Sequence, residues 1–177
     1  DSRERDMESE PPADIAELVG YAEGSSGSLV ELAVELLSDE PPAEQLRGTA
    51  RRVGSAWALV GLLRAVPFHA RAGRLYLPKD VSAAAGLRRA DLFALRPTPA
   101  LAETVRGIAE EARRHLEAAR RSPVPRRAIP ALLPATLAEL YLRRLAAARY
   151  NPFDTRVQQA PPLRVVRLLL ARALGRF

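Results

Sequence analysis

A chain of 177 residues, 47% hydrophobic and 27% charged, has the size and composition of one globular domain or a large part of one. It holds no cysteine, which excludes disulfides, thiolate zinc sites and a cysteine nucleophile, and its two histidines are too few for a His-rich metal centre. The net charge of +6 conceals a gradient. Residues 1–50 hold 13 acidic and 3 basic residues (net −10), residues 51–111 hold 5 and 10 (+5), and residues 112–177 hold 3 and 14 (+11).

That polarity suits a basic face turned toward an anionic membrane, an acidic protein or nucleic acid. Arginine supplies every basic residue but Lys79 in a chain rich in Ala and Leu, the usage of a GC-rich genome, so the arginines alone say little about phosphate binding. No apolar run reaches the roughly 20 residues of a membrane span. The chain begins at Asp1 with no methionine and no charged-then-apolar leader, which implies that its true start has been removed by processing or truncation.

Apolar residues recur at helical spacing throughout, which predicts an all-α protein. Asp14 caps a helix over 14–37, interrupted by the small-residue run Gly24-Ser25-Ser26-Gly27-Ser28, with Leu29, Leu32, Ala33 and Leu36 as its core stripe. A second helix spans 43–66, with Leu46, Ala50, Val53, Trp57, Val60 and Arg64 along one stripe, and Pro67 is expected to end it. Residues 67–80 read as a structured loop, followed by short helices at 81–85 and 89–95 with Gly86 at a helix end. Thr98-Pro99 opens a helix to 121 that places Leu101, Val105, Ile108, Ala112, Leu116 and Ala119 on one face. A helix over 129–149, with Pro130 and Pro134 kinking or delaying its start, and a last helix over 161–174 complete the chain. There is no internal repeat and no linker long enough to divide the chain.

Nucleotide-binding glycine loops, HExxH and the nucleophile elbow are absent. Three local features remain. Asp1 and Asp6, with Glu4, Glu8 and Glu10, have a spacing that can offer oxygen ligands to Mg²⁺; a solvated acidic segment before Pro11-Pro12 explains the same residues and is the commoner case. The run after Tyr21 lets a ligand or another helix approach closely, and helix packing is again the commoner outcome. Between Gly54 and Asp80, Arg64, Arg71 and Arg74 have guanidinium groups suited to a diphosphate, with His69 available as a general acid or base. A surface loop with solvated arginines fits equally well.

At this third feature the residues take on a family likeness. Arg64-Ala65-Val66 through Gly73-Arg74-Leu75-Tyr76-Leu77-Pro78 resembles the second signature of the squalene/phytoene synthases, N-I-x-R-D-x-x-x-D-x-x-x-G-R-x-Y-L-P. Tyr21-Ala22-Glu23 with Ser26-Gly27 resembles that family's Y-x-x-x-x-A-G segment, and Asp1 through Met7 its D-x-x-x-x-D-L segment. The likeness implies an all-α isoprenoid-synthase-type bundle lacking its N-terminal helices, with residues 1–177 as one domain, the C-terminal portion of the family's. It implies Tyr21, Arg64, His69, Arg74 and Tyr76 as substrate- or lipid-binding candidates, and Asp1 and Asp6 as metal candidates.

Aligned on Arg64 and Gly73–Pro78, the family's two aspartates fall at Ala65 and His69, its asparagine at Gly61 and its glutamine at Ala58. Alanine cannot bind Mg²⁺, and Mg²⁺ prefers oxygen to imidazole nitrogen. A departing diphosphate needs its charge neutralised, which bound Mg²⁺ does. One branch of the family has the same replacements: the complex I assembly factors with a synthase-like domain. The matching segments are Leu63-Arg64-Ala65-Val66-Pro67-Phe68-His69, Leu77-Pro78-Lys79-Asp80 and Ala128-Ile129-Pro130-Ala131-Leu132-Leu133.

Resemblance to that branch implies a non-catalytic assembly or scaffold factor for respiratory complex I, with a protein partner and no cofactor, in a bacterial cytoplasm or a mitochondrial matrix, at a membrane surface. The alternatives are a prenyltransferase of isoprenoid synthesis acting with Mg²⁺ on prenyl diphosphates, and a module that holds an isoprenoid or lipid without reaction. The lipid cavity would lie between helices 14–37, 43–66 and 99–121. Nucleic acid is excluded as a partner, because the basic third has few aromatics for stacking. An incomplete family domain would leave part of its apolar core open, and the +11 third predicts binding to anionic vesicles that weakens with salt.

Overall fold

Asp14 starts the first helix. Its carboxylate accepts from the Glu17 N–H at 2.8 Å, and Glu17 reaches back to the Ala13 N–H at 2.5 Å, a variant of the capping box. The computed structural model describes residues 10–177, so Asp1 and Asp6 lie outside the described residues. From this cap the order is α1 (Ile15–Ala22), a π-turn (Glu23–Gly27), α2 (Ser28–Leu36), α3 (Glu44–Arg71), α4 (Lys79–Ala84), α5 (Arg89–Phe93), α6 (Pro99–Arg120), a 3₁₀ turn (Arg126–Ala128), α7 (Ile129–Leu132), α8 (Pro134–Ala147), α9 (Thr155–Gln158) and α10 (Arg164–Ala173). Among the described residues there is no strand, in keeping with the all-α expectation.

The small-residue run forms the π-turn, and this corrects the expected core stripe of α2. A regular helix continuing from the buried Leu18 and Ala22 would turn Leu29, Leu32 and Leu36 inward. The π-turn carries an extra residue, which rotates everything after it by about 100°. Val30 and Val34 are therefore buried, and Leu29, Leu32 and Leu36 are 56%, 50% and 78% exposed. Ser25 Oγ donates to the Tyr21 carbonyl at 2.7 Å and Ser28 Oγ to the Glu23 carbonyl at 3.2 Å, so side-chain hydroxyls support the widened turn.

The π-turn packs backbone to backbone on α3. A Cβ on Gly54 would sit 2.3 Å from the Ser26 carbonyl oxygen and 2.6 Å from Gly27 Cα. Arg51 holds both Glu31 and Glu44, and Arg47 meets Glu35 at 3.1 Å, which ties α2 to the start of α3.

α3 is the central helix. It packs on α1, α2, the π-turn, α8 and most extensively α6, and buries Val53, Leu59, Val60, Leu63 and Val66. By length and apolarity α3 matches a membrane span, yet 56% of its most apolar window is buried inside the fold, so core packing accounts for its composition. Pro67 does not end it. The helix runs through to Arg71, because Val66, Pro67 and Ala70 lie on the buried face and their burial offsets the backbone hydrogen bond that proline cannot make. His69 and Arg71 are therefore helical residues rather than loop residues.

Against α3 lies α6, capped by Thr98 Oγ1 accepting from the Leu101 N–H at 3.2 Å. Its predicted stripe, Leu101, Val105, Ile108, Ala112, Leu116 and Ala119, is buried throughout. Pro134 stands at the first turn of α8, where its missing N–H costs nothing.

Candidate functional site

The end of α3 builds the candidate site. Gly73 adopts φ 69°, a left-handed conformation that glycine reaches without penalty. The Gly73 N–H bonds the Ala70 carbonyl at 3.1 Å and the Arg74 N–H bonds the His69 carbonyl at 2.8 Å, which together close a Schellman end. The chain then returns beneath α1, where the Lys79 and Asp80 N–H groups donate to the Pro12 and Ala13 carbonyls. This reversal sets Tyr76 on His69, with ring centroids 4.4 Å apart, and brings Tyr21 of α1 within 6.4 Å of Tyr76.

Three of the predicted residues, Tyr21, His69 and Tyr76, thus share one aromatic cluster, and Arg74 lines the same small void as His69 and Tyr76. Arg64 does not join them. It lies about 140° around α3 from His69, with its guanidinium 3.7 Å from the centre of the Tyr141 ring on α8, a cation–π contact. Trp57, two turns earlier on the same stripe, approaches the same ring at 6.4 Å. Arg64 Nε is buried and makes no hydrogen bond among the described residues. Arg71 and Arg74 are exposed. The expected three-arginine clamp is divided: Arg71 shares the Arg64 stripe two turns further along α3 but is exposed, while Arg74 lies past the end of the helix, beside His69 and Tyr76.

Tyr141 is the residue that sequence reasoning missed. Its only signal was an aromatic on the buried face of a helix, which core packing explains equally well.

The void bounded by Leu18, Leu62, Leu63, Val66, Leu75 and Ile108 measures about 10 Å³, room for about one water. Among the described residues, this void leaves no room for a prenyl chain between Leu18, Leu63 and Ile108 as these side chains stand. At Ala65 and His69 the side chains offer Mg²⁺ no oxygen ligand. Ala65 offers no donor, His69 offers only nitrogen, and among the described residues no group of three or more His, Asp or Glu converges.

The helical arrangement is that of squalene-type synthases. It matches a dehydrosqualene synthase with a TM-score of 0.80 at 22% identity, over 98% of this chain and 61% of that one. It matches the squalene synthase HpnC of Alicyclobacillus acidocaldarius with a TM-score of 0.77 at 20% identity, over 86% and 58%. The squalene/phytoene synthase family model covers residues 1–167, and the chain belongs to that family.

Among its relatives is NADH dehydrogenase (ubiquinone) complex I, assembly factor 6, 31% identical in Mus musculus over 90% of this chain and 29% identical in Homo sapiens over the same share. Phytoene synthase 2, chloroplastic, of Solanum lycopersicum is 28% identical over 89%. The chain spans about half the length of these relatives, 48% of the assembly factors and 53% of the phytoene synthase.

Proposed function

We propose that this chain works as a non-catalytic member of the family, in the assembly of respiratory complex I. The observation that carries this reading is the pair Ala65 and His69 on the last turns of α3. At the two places where the family motif sets aspartates, one side chain is a methyl group and the other is an imidazole packed at a tilt against Tyr76. Neither can hold the Mg²⁺ that neutralises a departing diphosphate, and Arg64 is laid on Tyr141 rather than turned to meet one. The relatives named as complex I assembly factors support the same reading. It places the protein where complex I is built, with a protein of that pathway as its partner.

Two measurements test it. Full-length protein incubated with farnesyl or geranylgeranyl diphosphate, Mg²⁺ and NADPH is expected to yield neither squalene nor phytoene. Formation of either would establish the prenyltransferase alternative. Deleting the gene in its source organism is expected to lower NADH-dependent respiration and assembled complex I while succinate-dependent respiration stays unchanged. Normal complex I in the deletion strain would sink the assembly reading.

A further inference from the structure

Past the candidate site the chain builds a second hollow. Leu75 and Leu77, on either side of Tyr76, lead from the end of α3 to α4. Gly86, at φ 72°, ends α4, and the Leu87 N–H donates to the Ser82 carbonyl at 2.9 Å, which turns the chain back at Leu87. With Leu92 of α5, these leucines floor a pocket of about 320 Å³. Leu75, Leu77 and Leu92 also bound the small void beside His69, so the two spaces share a wall.

The rim of the pocket is charged. Lys79 and Arg89 line it, and Glu10 is the one carboxylate among its described lining residues. Glu10 meets Lys79 at 2.8 Å. The hydrogen bond and charge of Lys79, then the charge of Arg89, hold the Glu10 carboxyl below its usual range. The neighbouring arginines are engaged elsewhere: Arg88 and Arg96 hold the buried Asp91 at 2.7 and 3.4 Å. Arg89 makes no ion pair of its own among the described residues.

We propose that this pocket binds a straight-chain acyl carboxylate of about ten non-hydrogen atoms, at roughly 30 Å³ each. Its chain lies over Leu75, Leu77, Leu87 and Leu92, and its head displaces Glu10 from Lys79 and engages Arg89. An aliphatic floor beneath a few convergent polar groups is the usual construction of a small-molecule site. The head is a carboxylate because a carboxylate, that of Glu10, already occupies the position. Two cations, one of them met, suit a single negative charge rather than the several of a diphosphate. The binding test needs neither prenyl diphosphate nor complex I, so its failure would leave the assembly reading standing.

Isothermal titration calorimetry of the full chain with sodium octanoate reads the proposal directly. Octanoate is expected to saturate one site, with butyrate at least about tenfold weaker for want of chain and octylamine at least about tenfold weaker for its charge. Ala83 is an exposed helical residue at the pocket wall. Ala83→Trp should therefore fill the pocket and weaken octanoate at least about tenfold while far-UV circular dichroism stays unchanged. Lys79→Gln with Arg89→Gln should weaken it by a similar factor. Glu10→Gln, which frees Lys79, should instead tighten octanoate by up to about fivefold. Absence of saturable binding by folded wild-type protein would overturn the proposal, as would octylamine binding as tightly as octanoate. So would undiminished binding by Ala83→Trp, or weaker binding by Glu10→Gln, which would make Glu10 part of a site for a cation.

Discussion

Gly54 and Gly61 lie two turns apart on α3 and should respond to alanine in opposite directions. At Gly54 a methyl group would strike the Ser26 carbonyl and Gly27 Cα, backbone atoms with nowhere to go. Gly54→Ala is expected to cost about 3 kcal/mol and to lower the thermal midpoint by roughly 6–12 °C. At Gly61 nothing lies within 4 Å of the added carbon, so Gly61→Ala should raise stability by up to about 1 kcal/mol through helix propensity alone. Calorimetry on the two variants checks both signs. Tyr21, His69 and Tyr76 were named together through the family resemblance, whereas the helix running past Pro67, from whose end Gly73 turns Tyr76 back onto His69, was not expected. The partner of Arg64 was not legible either, since Tyr141 lies 77 positions later and only the tertiary packing of α8 on α3 joins them.

At the scale of elements, the stripe of α6 could be read directly because one cap and one uninterrupted helical period determine it. The stripe of α2 could not, because a single extra residue in the π-turn moves its phase without changing its composition. The test is a contrast along α2. Val34→Ala should cost about 2 kcal/mol by urea denaturation, whereas Leu32→Ala, on the expected but exposed face, should stay within about 0.5 kcal/mol. The start of α9 gives a pH prediction. Three hydrogen bonds from Arg156, two from its guanidinium and one from its backbone N–H, hold the Asp154 carboxyl at a pKa of about 2, below its ordinary 3.8. A depressed folded-state pKa means that the unfolded chain takes up the proton first. The stabilisation from Asp154 is therefore complete above about pH 5 and is lost as pH falls toward 2. Asp154→Asn keeps an acceptor at the cap but should flatten that part of the curve of thermal midpoint against pH.

Across the whole molecule, the fold class followed from helical periodicity and the family from a short signature. The positions of the exposed apolar surfaces did not, because exposure depends on which neighbours a helix finds. α10 fully buries none of its residues, so a chain ending at Pro162 should keep its helical core, lose the packing of α10 on α8 with the Phe177 and Ala173 contacts, and unfold about 1–2 kcal/mol more readily. A larger loss, or a chain that no longer unfolds cooperatively, would show that α10 belongs to the core after all. Trp57, meanwhile, has a use of its own. It is the sole indole in the sequence and sits half-buried against Tyr141, the ring on which Arg64 rests. Its fluorescence therefore reports from the seam between α3 and α8. An anion or partner that lifts the guanidinium off that ring would announce itself as a shift in emission, with no label attached to the protein.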